Sequence, residues 1–316
     1  MERMSIFETI TANLDDDFKV LPGFSLEFMG KNREFKCAAG MHDGTLIYHT
    51  LNLGNPGDPQ KAAEDIAVLL VAYFADKNKK FLNEIDAILN ENSVISIVDD
   101  LAIIMWDRLF SLADRTDWKS LAHQWRSSSI DLLINSDNMN FVKIGITLLG
   151  VLGFTNFNRS ADLLFNIGVY DELTIYALTA LSRLADLNSR MKSEQHMDFN
   201  AIVFEIAKRV NGWGRVHAVK RLEPATDEIR GWILRKGCLC PGLVSYLALT
   251  CAESGDMISA LRQETLDDEL FKGVSAIMEA LIEEESMPGI SVYTHADEAL
   301  ALYRRNKDIR EKGGRI

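Results

Sequence analysis

The sequence predicts a mainly α protein: an irregular HEAT- or armadillo-like α-solenoid with a small N-terminal β-hairpin or sheet element. Three observations lead there. Only six prolines and twenty glycines interrupt 316 residues that are 47% hydrophobic and 25% charged, enough for one large or two modest domains. Past residue 58, apolar residues recur at helical spacing in segments parted by only a few residues, which implies antiparallel neighbours. Residues 211–237 read as two short capped helices joined by a Pro turn, the unit from which helical arrays are stacked.

Taken in order, residues 4–13 suit a short helix ending in Asp15–Asp17. After Pro22-Gly23, the stretch Phe24–Met29 alternates Phe24, Leu26 and Phe28, while Phe35–Ala39 and Thr45–Leu51 flank Met41-His42-Asp43-Gly44. Asp43-Gly44 is what a type I′ turn asks for, and the resulting hairpin pairs Met41 with Leu46 and Ala39 with Tyr48, with Cys37 continuing the apolar face. The cluster Gly54-Asn55-Pro56-Gly57-Asp58-Pro59 is the strongest punctuation, so an N-terminal α/β element is expected over 1–58 and a helical-repeat domain over 59–316. Helices are expected at 60–76, 79–90, 93–112, 117–134, 139–152, 159–167, 171–186, 198–210, 213–222, 226–235, 241–252, 255–262, 267–283 and 294–306. No repeat of fixed length emerges, but Phe141–Leu152 and Leu173–Leu184 are both strongly apolar, as inner members of a stack should be. The charged tail Arg304–Ile316 is expected to fray.

The central hairpin carries the candidate site. A helix over 213–222 places Val216, Ala218, Val219 and Leu222 on one arc and Trp213, His217, Lys220 and Arg221 on the other. Pro224 stops it, Thr226 caps the next helix, Asp227 and Glu228 fill its first turn, and Arg235, Lys236 and Gly237 close it. Arg215 falls in the middle of the apolar arc, where an unpaired charge is costly. It is either a buried ladder arginine bonded to a carboxylate or to carbonyls of the preceding helix, or an anion-binding arginine on a groove floor. From Lys208 to Lys236, eight cations stand against Glu223, Asp227 and Glu228, a local charge of +5 in a chain of −12. Trp213 and Trp232 are interleaved with them, the mixture that protein hot spots and anionic ligands favour. The candidate binding surface is therefore Trp213, Arg215, His217, Lys220, Arg221, Arg230 and Trp232. The bland account is dipole-matched cations at helix ends and packed tryptophans.

Several classes are disfavoured. A charge of −12 opposes general binding to nucleic acid or anionic membrane. The N-terminus has no apolar core after a basic start, and the longest apolar runs, 66–75 and 144–154, are shorter than a membrane span, so a cytoplasmic protein is expected. Cys37, Cys238, Cys240 and Cys251 have no framework spacing and read as reduced thiols. Neither Cys238 and Cys240 with Cys251 and His217, nor His42, opposite Thr45 in the hairpin, with His49 four residues further along the partner strand and so about 13 Å away at ~3.3 Å per residue, makes a credible metal site. His42 and Asp43 as an acid/base pair would need an exposed turn to become sheltered. No phosphate loop, dinucleotide fingerprint, HExxH or GxSxG is present, so neither metal nor cofactor is expected.

Gly212-Trp213-Gly214-Arg215-Val216-His217-Ala218-Val219, Leu222-Glu223-Pro224, Glu228-Ile229-Arg230 and Arg235-Lys236-Gly237-Cys238 resemble a segment shared by a family of uncharacterised bacterial proteins, some labelled limonene hydroxylase. Ala38-Ala39-Gly40-Met41-x-Asp43-Gly44 is similar to the same family, so the likeness runs through most of the chain. The resemblance implies no catalytic residues. Oxygen insertion needs haem, flavin or non-haem iron, and the chain carries no motif for any of them. The function expected is a cytosolic protein-interaction module, an adaptor, inhibitor or immunity-type partner, with a small anionic ligand as a further possible occupant of the basic surface. The alternatives are an enzyme with a motif-free site between the N-terminal hairpin and the solenoid, built from His42, Asp43 or His49 facing Arg or Trp side chains, and, ranked last, a HEAT-like nucleic-acid-processing protein.

Overall fold

The computed structural model describes residues 4–26, 40–49, 57–112, 117–191, 197–283 and 288–313. They fall into two compact units, Met1–Phe199 and Asn200–Ile316. The break expected at 58/59 lies inside the first of these. Among the described residues the secondary structure is helical, apart from one isolated antiparallel bridge between Leu14 and Val20.

The first unit comprises α1 (Ile6–Thr11), α2 (Met41–His49), α3 (Pro59–Asp76), α4 (Lys79–Leu89), α5 (Val94–Ser111), α6 (Trp118–Asn135), α7 (Met139–Leu152), a 3-10 turn (Gly153–Asn156), α8 (Phe157–Gly168) and α9 (Thr174–Arg190). Most starts are fixed by side chains that satisfy the first free N–H groups: Ser5 with Glu8 in a capping box, Asp58 ahead of Pro59, and Asn78, Asp117 and Asn138. Helices adjacent in sequence pack as hairpins, and alternate helices also pack in succession: α3 on α5, α5 on α7, α7 on α9.

At the centre is α7, buried from Val142 to Leu152. Its glycines explain how closely its neighbours lie. A Cβ on Gly145 would stand 2.8 Å from Ser129 O of α6, and one on Gly150 would stand 2.7 Å from Ala180 Cα of α9. Helix α7 continues through the 3-10 turn into α8, so Met139–Gly168 is long and apolar enough, by length and composition alone, to cross a membrane; 83% of its most apolar window is buried in the packing. The sequence reading missed that length because it stopped the helix at 152.

The second unit holds α10 (Phe199–Arg209), α11 (Gly212–Val219), α12 (Asp227–Trp232), a π turn (Ile233–Gly237), α13 (Val244–Ser254), α14 (Met257–Leu261), α15 (Asp268–Glu283), a 3-10 turn (Ile290–Val292) and α16 (Ala296–Gly313). Alternate packing recurs, α11 on α13, α13 on α15 and α14 on α16. Gly273 lets α15 lie directly on the π turn, since a Cβ there would meet Leu234 O at 1.8 Å.

Two expectations are corrected. Residues 41–49, placed in a hairpin around Asp43-Gly44, form helix α2, led in by Gly40 at φ +76°. The local turn preference yields because Asp43 has a buried partner far along the chain. Residues 24–26 are irregular, and the remaining expected strand residues, 27–29, 35–39 and 50–51, lie outside the described residues. The tail does not fray through residue 313: Arg310 donates to Asp268 and Leu266 O and lies over the Phe271 ring, and Arg305 donates to Leu261 O.

Candidate functional site

In the first unit the notable constellation is a buried knot of ionisable groups from α2, α7, the α8–α9 connection and α9. Asp43 Oδ2 accepts from Lys143 Nζ at 2.9 Å and from the Tyr176 hydroxyl at 2.8 Å, and Lys143 Nζ lies 3.1 Å from Glu172 Oε1 and 5.1 Å from the Tyr176 ring centre. Desolvation opposes the Lys143 charge, but Asp43 and Glu172 outweigh it and hold the ammonium above its usual pKa. Burial, and then the charge of Asp43, pushes the Tyr176 hydroxyl well above its usual value. Near neutral pH the knot thus holds an ammonium and a neutral phenol. It supplies an electrostatic anchor but not a lysine nucleophile, and the Tyr176 proton is held by Asp43.

Sequence reasoning singled out Asp43 and missed Lys143, Glu172 and Tyr176. A signal was there: Lys143 is the sole charge in the run Phe141–Leu152. His42 is exposed on α2 and His49 half-buried at its end, and neither joins the knot among the described contacts. The adjoining stretch is docked by Tyr170, whose hydroxyl accepts from Leu26 N at 3.1 Å and whose ring meets the Phe24 edge.

In the second unit the expected surface residues divide. Trp213, Arg215 and His217 are buried, at 4%, 8% and 1% exposure. Trp213 and His217 were expected on the outward arc; α11 is buried over Trp213–Val219, so it has no outward arc there, and Trp213 packs edge-on against Tyr246. Lys220, Arg221, Arg230 and Trp232 are half-buried. Arg215 takes the ladder role: Nε donates to Val210 O and Nη1 to Lys236 O, both at 2.9 Å, and the guanidinium lies 5.3 Å from the Trp232 ring centre. Lys236 sits in the π turn, and its carbonyl accepts from Leu239 N as well as from Arg215. Trp232 is thereby held between that guanidinium and the Phe204 edge.

Much of the local positive charge is matched. Lys208 and Arg209 meet Glu205, Arg230 meets Asp227, Arg235 meets Asp267 and Lys236 meets Glu269. Glu205, Asp267 and Glu269 lie outside the 208–236 window, so the fold brings in acidity that counting along the chain leaves out. Cys238, Cys240 and Cys251 are buried free thiols, and desolvation pushes Cys238 up to about 12, far from a reactive thiolate. Cys37 lies outside the described residues. Among the described residues, no three His, Cys, Asp or Glu side chains gather as a metal site would need.

No family model, curated protein or solved structure matches the chain.

Proposed function

We propose that the chain is a cytoplasmic helical-repeat interaction module, an irregular HEAT- or armadillo-like stack that binds a protein partner as an adaptor, inhibitor or immunity-type protein. The observation that carries this reading is the alternate packing within the units, α3–α5–α7–α9 and α11–α13–α15. Helices that neighbour both the next and the next-but-one element form the layers of a stacked array, whose long faces are suited to protein recognition. The contact surface proposed is the α11–α12 hairpin, with Lys220, Arg221, Arg230 and Trp232 outermost and Trp213, Arg215 and His217 as the floor. A tryptophan fixed in place, as Trp232 is, anchors an interface at low entropic cost.

The test is affinity purification of the tagged chain from its own cells beside Arg221→Glu and Trp232→Ala. A stoichiometric protein lost in both variants, with unchanged melting temperatures, supports the reading. A partner retained by both removes this surface from it.

A second reading is favoured by the knot: an enzyme with a motif-free site at Asp43, in which Glu172 at 18% side-chain exposure acts as base beside the Lys143 ammonium. It requires a small molecule that co-purifies with the wild-type chain and is lost in Glu172→Gln.

A further inference from the structure

We propose that the first unit holds a phosphate-group site where α6 meets the kink between α7 and α8, with Arg126 as its principal ligand. Arg126 is only 8% exposed, yet it makes no ion pair among the described residues. Its Nε donates to Ser160 Oγ at 3.2 Å, and its Nη2 is buried without an acceptor among the described residues. The Ser160 hydroxyl is itself committed to the kink, lying 2.8 Å from Asn156 O and 3.2 Å from Gly153 O. In the same turn, Thr155 Oγ1 is likewise buried without a partner. Desolvation, followed by the charge of a second cation, Arg159, draws the Arg126 pKa down. Arg159 is exposed on α8 and also has no carboxylate partner among the described residues.

The contrast with the other buried cations is the argument. Lys143 has two carboxylates, and Arg215 has two carbonyls and an aromatic face. Arg126 has one hydroxyl and a like charge, in a chain with ample acid elsewhere. A buried guanidinium left in this state is strongly unfavourable unless an anion completes it. Two guanidiniums with the Thr155 hydroxyl suit a tetrahedral oxyanion with several acceptor oxygens, which arginine recognises through its fork of donors. Phe154, next to Thr155, stacks on Trp118 at 6.3 Å between ring centres and meets Trp106 edge-on at 5.7 Å, so an aromatic wall begins one residue from the seat. The phosphate is either free or carried on an organic group that lies along that wall.

The experiment is calorimetric titration of the full chain, at constant ionic strength in chloride, with inorganic phosphate and with phenyl phosphate, repeated on Arg126→Met and Arg159→Gln. Saturable binding is expected in the wild type and weakens at least about tenfold in Arg126→Met, the factor for losing one charge-assisted hydrogen bond. Arg159→Gln, at an exposed position that leaves the core intact, weakens it too. Tighter binding of phenyl phosphate identifies an organic phosphate as the source; equal binding identifies the free ion. No saturable binding of either compound up to about 10 mM, a concentration at which even a millimolar site is nearly filled, or equal binding by wild type and Arg159→Gln, overturns the proposal.

Discussion

At the scale of single residues, the molecule offers three solutions to a buried cation. Lys143 is neutralised by carboxylates, Arg215 is bonded to carbonyls, and Arg126 has neither among the described residues. Lys143→Met leaves Asp43 and Glu172 facing each other without their cation, and we expect a loss of about 3–5 kcal/mol in urea unfolding. The pH dependence has a definite sign. Lys143 and Tyr176 both have folded pKa values raised above their unfolded ones, so both hold more protons in the native state and their contribution is intact below about pH 10. It declines as pH rises through the folded values. Unfolding at pH 8 and pH 10.5 should therefore show wild-type stability falling, with a shallower fall in Tyr176→Phe; equal slopes would dissociate Tyr176 from the effect. This chemistry was half legible in the sequence. The rule that an arginine on an apolar helical stripe needs a partner picked out Arg215 and applies equally to Arg126, which lies on α6 among Ala122, Trp125, Ser129 and Leu133. No wheel distinguishes the two, because what separates them is carbonyls and hydroxyls supplied by other elements.

At the scale of elements, caps and spacing made the helices readable, since Asp58-Pro59, Asn78, Asp117, Asn138 and Thr226 start helices where local chemistry says they should. Helix α2 was not readable. Its Asp-Gly pair is locally a turn, and the partner that overrides it, Lys143, stands 100 residues away. Trp213 and His217 were misplaced for a different reason: an eight-residue helix buried nearly all round has no periodicity to read. Close helix approach yields a direct prediction. Gly150→Ala puts a methyl carbon 2.7 Å from Ala180 Cα, and such overpacking should cost about 1–3 kcal/mol, seen as a lower melting temperature. Arg215→Ala strips the Nε donor from Val210 O, worth roughly 1–3 kcal/mol when that carbonyl is left buried and unmet, while Lys236 O keeps its bond from Leu239 N. Hydrogen exchange should rise first across Ile233–Gly237, and Arg215→Lys should not restore it, because an ammonium lacks the fork that spans both carbonyls.

At the scale of the whole molecule, the contacts divide the chain at Phe199/Asn200, next to the start of α10. Compact units with cores of their own commonly fold alone. A fragment covering 197–316 should keep its helical circular dichroism and a cooperative melt, and a fragment lacking both would show that the second unit depends on the first. The burial of α7 bears, finally, on how the chain is made. A helix buried on every side and apolar save for Lys143 has no stable exposed form in water, and its covering partners lie on both sides of it in sequence, α6 before and α9 after. A nascent chain that has emerged from the ribosome only as far as residue 168 has the first partner but not the second, and displays a long apolar segment. Emergence of the chain through Arg190 closes it. The interval between those two points is when chaperones compete with aggregation for this protein, and slowing translation there should lower its soluble yield more than slowing it anywhere after α9.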